Sequence, residues 1–154
     1  MAEVPLVVVA GFPLALDRRY QAETHMWVLE TGPGRVRIGM DALGIETSGT
    51  LAQLSFSPTG TELSAGRPFG ELEAAKFVGP LISPVSGTVA NVNEEVARDP
   101  GLAARDPYGA GWLIEASVSE IGDKGSGLLA EPAEITAWFA ARVTHYRRSG
   151  LIAQ

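Results

Sequence analysis

The sequence predicts a mostly β fold of short strands, with short helices and one C-terminal amphipathic helix. Three observations carry that prediction. Eighteen glycines and ten prolines in 154 residues raise these turn formers to about 18%, against a usual ~12%, so the chain turns often. Between Tyr20 and Val118, short apolar stretches alternate with turn signals, as strands and their connections do. After Glu131 the apolar spacing changes to three and four residues, the period of a helix.

At this length one domain is expected. Residues 1–19 form a leader, packed on the domain, whose pattern does not specify one structure. Strands are expected over 26–29, 35–38, 51–56, 69–72, 85–92 and 113–118. Arg35, Val36, Arg37 and Ile38 alternate with period two, the mark of a half-buried strand. Residues 41–49 suit a short helical turn and 93–105 another, with Pro100-Gly101 as a stop. The glycine-rich stretch 122–127 reads as a linker, because it lacks the spacing of a phosphate loop. Domain organisation is therefore a leader (1–19), a domain proper (20–130) and a C-terminal helix (131–154). In that helix Pro132 suits the first turn, and Glu131 and Glu134 suit its positive end. Arg142, Arg147 and Arg148 suit the other end. Ile135, Trp138, Phe139, Val143 and Tyr146 lie along one face.

Composition excludes several functions. A net charge of −6 does not gather phosphate backbones, so no nucleic-acid partner is expected. There are no cysteines, which removes disulfides, thiolate nucleophiles, iron–sulfur clusters and cysteine-ligated zinc. The two histidines, His25 and His145, stand far apart without a carboxylate cluster, so no metal site is expected. No apolar run approaches the ~18 residues of a membrane span. The apolar stretch 5–16 lacks a basic leader and is interrupted by Pro13, so it reads as mature chain and the expected location is cytoplasmic.

Lysine is rare here, with only Lys76 and Lys124. Lys76 sits between two strand-like segments. Gly79-Pro80 follows it, and Pro84 with Gly87 begins the returning strand. That arrangement puts Lys76 at the tip of a hairpin, exposed to a modifying enzyme, where acylation would replace its charge with an amide-linked arm. The plainer reading is an ordinary surface lysine. Glu71 and Glu73 share one side of a strand. In an enzyme such a pair could act as acid and base, but a hairpin tip encloses no pocket. Trp27 reads as core. His25 reads as a hydrogen-bonded structural residue or as the flank of a cleft, and Asp106–Gly109 as a turn.

The Lys76 segment resembles the carrier hairpins of biotinyl and lipoyl domains. Acids precede the lysine and Pro84-Val-Ser-Gly87 follows it. Biotin carriers flank the lysine with methionine, whereas here the neighbours are Ala75 and Phe77. Thr24-His-Met-Trp27, Phe69-Gly-Glu71, Val92-Asn-Glu94, Asp106-Pro-Tyr-Gly109 and Gly111-Trp-Leu-Ile114 follow one another in the order found in the glycine cleavage H-protein family. The resemblance spans about residues 20–118. It implies a barrel-sandwich hybrid of the lipoyl-domain type and lipoate on Lys76. It implies a non-catalytic carrier whose swinging arm shuttles an aminomethyl intermediate. The clients would be glycine decarboxylase, aminomethyltransferase and dihydrolipoamide dehydrogenase. A lipoate-protein ligase or lipoyl transferase would recognise Glu71, Glu73, Phe77 and Gly79, and His25, Met26 and Pro80 would border the arm's cleft.

Two positions depart from the H-protein pattern. Met26 stands where the family has glutamate, and Pro80 where it has an acid. In this the chain resembles the lipoate-binding proteins of heterodisulfide-reductase-like sulfur oxidation, whose arm carries sulfur intermediates to a heterodisulfide-reductase-like complex. An unmodified interaction module of the same fold is a further alternative.

Overall fold

The computed structural model describes residues 4–119 and 127–153. The chain opens with a hairpin, β1 (Leu6–Val9) and β2 (Phe12–Ala15), followed by β3 (Arg19–Gln21), β4 (Met26–Gly32) and β5 (Arg35–Met40). Helix α1 (Ala42–Ser48) leads to β6 (Leu51–Phe56), β7 (Glu62–Leu63), β8 (Pro68–Ala74), β9 (Val78–Ile82) and β10 (Gly87–Val92). Helices α2 (Glu94–Arg98) and α3 (Gly101–Arg105), strand β11 (Ile114–Ser117) and helix α4 (Pro132–Ser149) complete it.

The strands form three antiparallel sheets. One holds six strands in the order β3-β4-β5-β11-β10-β7, one holds β6-β8-β9, and β1-β2 stands apart. The two larger sheets share one apolar cluster. Val28, Val36, Ile38, Val89 and Ala116 come from the six-stranded sheet, and Leu54, Phe69, Leu72 and Leu81 from the three-stranded one. Alternation along β8 from Glu71 to Ala74, with a bulge between Pro68 and Gly70 that turns Phe69 to the same side as Leu72, explains the arrangement. Phe69, Leu72 and Ala74 are buried while Glu71 and Glu73 face out.

A second cluster lies on the other side of β4. Trp27 and Tyr20 meet Leu14 and Ala15 of the N-terminal hairpin and Ile135, Phe139 and Val143 of α4. The indole lies flat against β5 because residue 39 is glycine. A Cβ there would fall 2.3 Å from Trp27 Cζ2. Trp27 Nε1 donates to the carbonyls of Met40 and Pro107 at 3.2 and 3.1 Å, so its one polar atom is satisfied. Arg18 stacks its guanidinium over the same indole at 4.6 Å.

Local signals account for the helix ends. The Asp41 side chain caps α1 through the Gly44 N–H at 2.8 Å. Pro100 ends one short helix and starts another, so 93–105 holds two helices where one with a stop was expected. In α4, Pro132 occupies the first turn, and Gly150 ends the helix in the left-handed conformation.

The structure departs from the sequence reading in the return of the Lys76 hairpin. The strand paired with β8 is Val78–Ile82, and Gly79 and Pro80 lie inside it. Proline is tolerated there because β9 is the edge of its sheet. The segment 85–92 belongs to the other large sheet. The leader, whose pattern specified no structure, contains the β1-β2 hairpin. Most of the linker stretch 122–127, with Lys124, lies outside the described residues. Among the described residues no helix is long and apolar enough to cross a membrane.

Phe139 anchors α4 with no exposed surface. Phe139→Ala is expected to cost about 3–5 kcal/mol of stability, measured by urea unfolding. A loss below about 1 kcal/mol would show that α4 contributes little to the core.

Candidate functional site

The Lys76 turn is tight. Ala75 and Lys76 form its tip, and the Ala74 N–H donates to the Phe77 carbonyl at 2.9 Å. Two-residue hairpin turns usually need positive φ, yet neither tip residue has it. The tip is held from outside instead. The Ala75 N–H donates to Thr50 O at 3.0 Å, and the Lys76 N–H donates to Ser48 O at 2.8 Å. Gly49, between those acceptors, has φ +81° and C-caps α1. The lysine backbone is thus fixed to the end of a helix while its side chain is exposed. Phe77 and Val78 beside it are 45% and 71% exposed, leaving an apolar surface next to the amine.

A cleft of about 450 Å³ opens beside the tip. It brings together His25, Met26, Lys76, Phe77 and Pro80 from the sequence reading. Glu71, Glu73 and Gly79 do not line it. The two glutamates stand on the outward face of β8, opposite Pro80 and Val78. Most of the cleft wall is apolar, with Met26, Met40, Leu72 and Leu81 among its residues. No group of three or more metal-binding side chains occurs among the described residues.

His25 lines the cleft and is held at both ring nitrogens. Its Nδ1 lies 2.9 Å from Asp41 Oδ2, and its Nε2 lies 2.8 Å from Tyr146 Oη. Asp41 is fully buried. An ionised carboxylate only accepts, so Nδ1 carries a proton; with the ring neutral, the tyrosine hydroxyl donates to Nε2. His25 takes φ 61°, fixed by its N–H to Gln21 O at 3.0 Å and its carbonyl to the Asp41 N–H at 2.9 Å. Burial raises the Tyr146 phenol pKa, against an opposing effect of Arg142, and Asp41 adds to the rise.

Asp41 and Tyr146 escaped the sequence reading. Asp41 was legible only as the start of a helical turn, and Tyr146 only as one apolar position on α4. Their meeting at His25 spans 121 residues of chain, and no local pattern encodes it. Leu151, placed by the turn at Gly150, also reaches the cleft.

The family model for the glycine cleavage H-protein matches residues 18–139. The glycine cleavage system H protein of Mycobacterium leprae strain TN is 42% identical over 106 residues, 69% of this chain and 80% of that protein. That of Mycobacterium avium strain 104 is 40% identical over 114 residues, 74% of this chain and 86% of that protein. A crystal structure of a glycine cleavage system H protein from Mycobacterium marinum superposes with a TM-score of 0.71 at 34% identity. It covers 83% of this chain and 99% of its own. The expected fold class, mostly β and of the lipoyl-domain type, agrees with that neighbour.

All three tyrosines have raised pKa values. Burial is the largest cause in Tyr20 and Tyr108, with Asp41 adding to each. The fold therefore keeps protons that the unfolded chain gives up near pH 10. The tyrosine contribution to stability is full below about pH 10 and is lost as pH rises above it. Unfolding midpoints should fall steeply in that range, with phenolate absorbance appearing as the protein unfolds. Phenols ionising at the ordinary value in folded protein would contradict this.

Proposed function

The chain belongs to the glycine cleavage H-protein family, and we propose that it is the lipoyl carrier of such a system, with lipoate amide-linked to Nζ of Lys76. The observation that carries this reading is the tip itself. The amine of Lys76 is exposed on a backbone pinned by two hydrogen bonds, beside an apolar cleft. The residues present fit such a group: a reachable amine for the amide, a fixed root, and thioether and aliphatic side chains to receive a hydrocarbon arm.

When attached, the group supplies a disulfide–dithiol couple that takes up, carries and gives away an aminomethyl group. The chain's own residues do the rest. Ser48 and Thr50 hold the root of the arm through their carbonyls. His25, Met26 and Pro80 border its resting cleft, and Asp41 and Tyr146 keep the imidazole in place. Glu71 and Glu73, with Phe77 and Gly79, mark the hairpin for a lipoate-protein ligase or lipoyl transferase. The protein is a non-catalytic carrier. Glycine decarboxylase, aminomethyltransferase and dihydrolipoamide dehydrogenase are its proposed clients, and the cytoplasm its proposed compartment. Residues 20–130 are read as the carrier domain, with 1–19 and 131–154 applied to it. The two apolar replacements, Met26 and Pro80, both line the cleft. The matched relatives are glycine cleavage proteins, and they give the sulfur-oxidation alternative no support.

Expression with a lipoate ligase, followed by intact mass measurement, tests the reading. One lipoyl adduct is expected on the wild type and on Lys124→Arg, and none on Lys76→Arg. A wild-type chain that stays unmodified would instead be an interaction module on the same fold.

A further inference from the structure

Lys76 borders two depressions. Besides the cleft at His25, a groove of about 570 Å³ opens on its other side. Its walls come from separate parts of the chain. Phe12 and Pro13 belong to β2, Ile45 to α1, Ala104 to α3, and Pro107 to the turn after α3. Apart from Lys76 itself, the charged residues at this groove are Glu46 and Arg105; both are exposed, and Arg105 is held by Asp99. What remains facing the groove is largely apolar.

The lysine side chain already runs toward this side. Its stem lies over Gly49, where a Cβ would meet Lys76 Cγ at 3.1 Å and Cδ at 3.4 Å. Gly49 lines the second groove and not the first. A methylene stem covering apolar surface while its end projects is ordinary behaviour for lysine. An acyl chain added at Nζ would start from that path.

We propose that this groove is a second docking site for the arm on Lys76, taking its uncharged ring-bearing end, so that the arm has a resting place on either side of its root. The proposal rests on the lipoyl-carrier reading. Its chemistry is that of a neutral, apolar, sulfur-containing ligand. Proline, isoleucine and alanine side chains line it, and the Phe12 ring offers a favourable contact to sulfur. Affinity need not be high. Tethering gives an effective concentration of order mM, so a groove too shallow to capture a free ligand still retains an attached one. Phe12 and Pro13 precede residue 18, where the family match begins. The wall they build thus comes from outside the matched segment.

The test uses the full chain labelled with nitrogen-15, in unmodified and lipoylated forms, with modification checked by mass. Lipoylation is expected to shift the amide signals of Phe12, Ala104 and Arg105. Ala104 is exposed, so Ala104→Trp fills the groove without entering the core. In that variant the lipoylation-dependent shift at Phe12 is expected to disappear. Shifts confined to the first cleft, at Thr24, Met26 and Ile82, or to residues 75–78, overturn the proposal and leave the carrier reading standing. A chain that takes no lipoyl group overturns both.

Discussion

Two backbone hydrogen bonds govern the arrangement. They run from the Lys76 and Ala75 N–H groups to the carbonyls of Ser48 and Thr50. Each contributes on the order of 1 kcal/mol, but their effect is geometric. They fix the tip of the β8-β9 hairpin to the end of α1. The seven residues of α1 then act as a bracket. Its far end is capped by Asp41, Asp41 holds His25, and His25 holds Tyr146 on α4. The exposed amine is thereby tied through one short helix to the wall of the cleft beside it.

That coupling suits a carrier better than an enzyme. A carrier needs a root that does not wander and a side chain that does. The two apolar clusters divide the labour. The cluster between the larger sheets holds the hairpin. The cluster around Trp27 brings in the N-terminal hairpin and α4. The second cluster matters for the site because those two elements extend the walls around Lys76. Tyr146 and Leu151 contribute to one depression, and Phe12 and Pro13 to the other. The proposed lipoyl arm would bring its own sulfur to a chain without cysteine, where no protein thiol competes for mixed disulfides.

Much of this was legible in the sequence, for physical reasons that differ by element. The strand at 35–38 and the helix after Glu131 follow from periodicity, because Val36 and Ile38 of the one and Ile135, Phe139 and Val143 of the other are buried along one face. Lys76 could be placed at a tip because turn formers follow it. The strand Val78–Ile82 was hidden, since glycine and proline read as a turn, and only its position at a sheet edge makes it compatible with pairing. The β1-β2 hairpin was hidden because a uniformly apolar run has no period to read. The cleft residues His25, Met26 and Pro80 came from likeness to a family rather than from pattern. Asp41 and Tyr146 were beyond reach, because their roles arise only when distant segments meet.

Lys76 is proposed as the root of an arm that carries a one-carbon amine between other proteins. The most direct measurement supplies the lipoylated chain with glycine decarboxylase and glycine labelled at its methylene carbon, then maps the label by peptide mass. Label is expected on the peptide containing Lys76 and none on the unlipoylated chain. No label on the lipoylated chain, while an authentic H protein becomes labelled in parallel, would overturn the carrier role of Lys76.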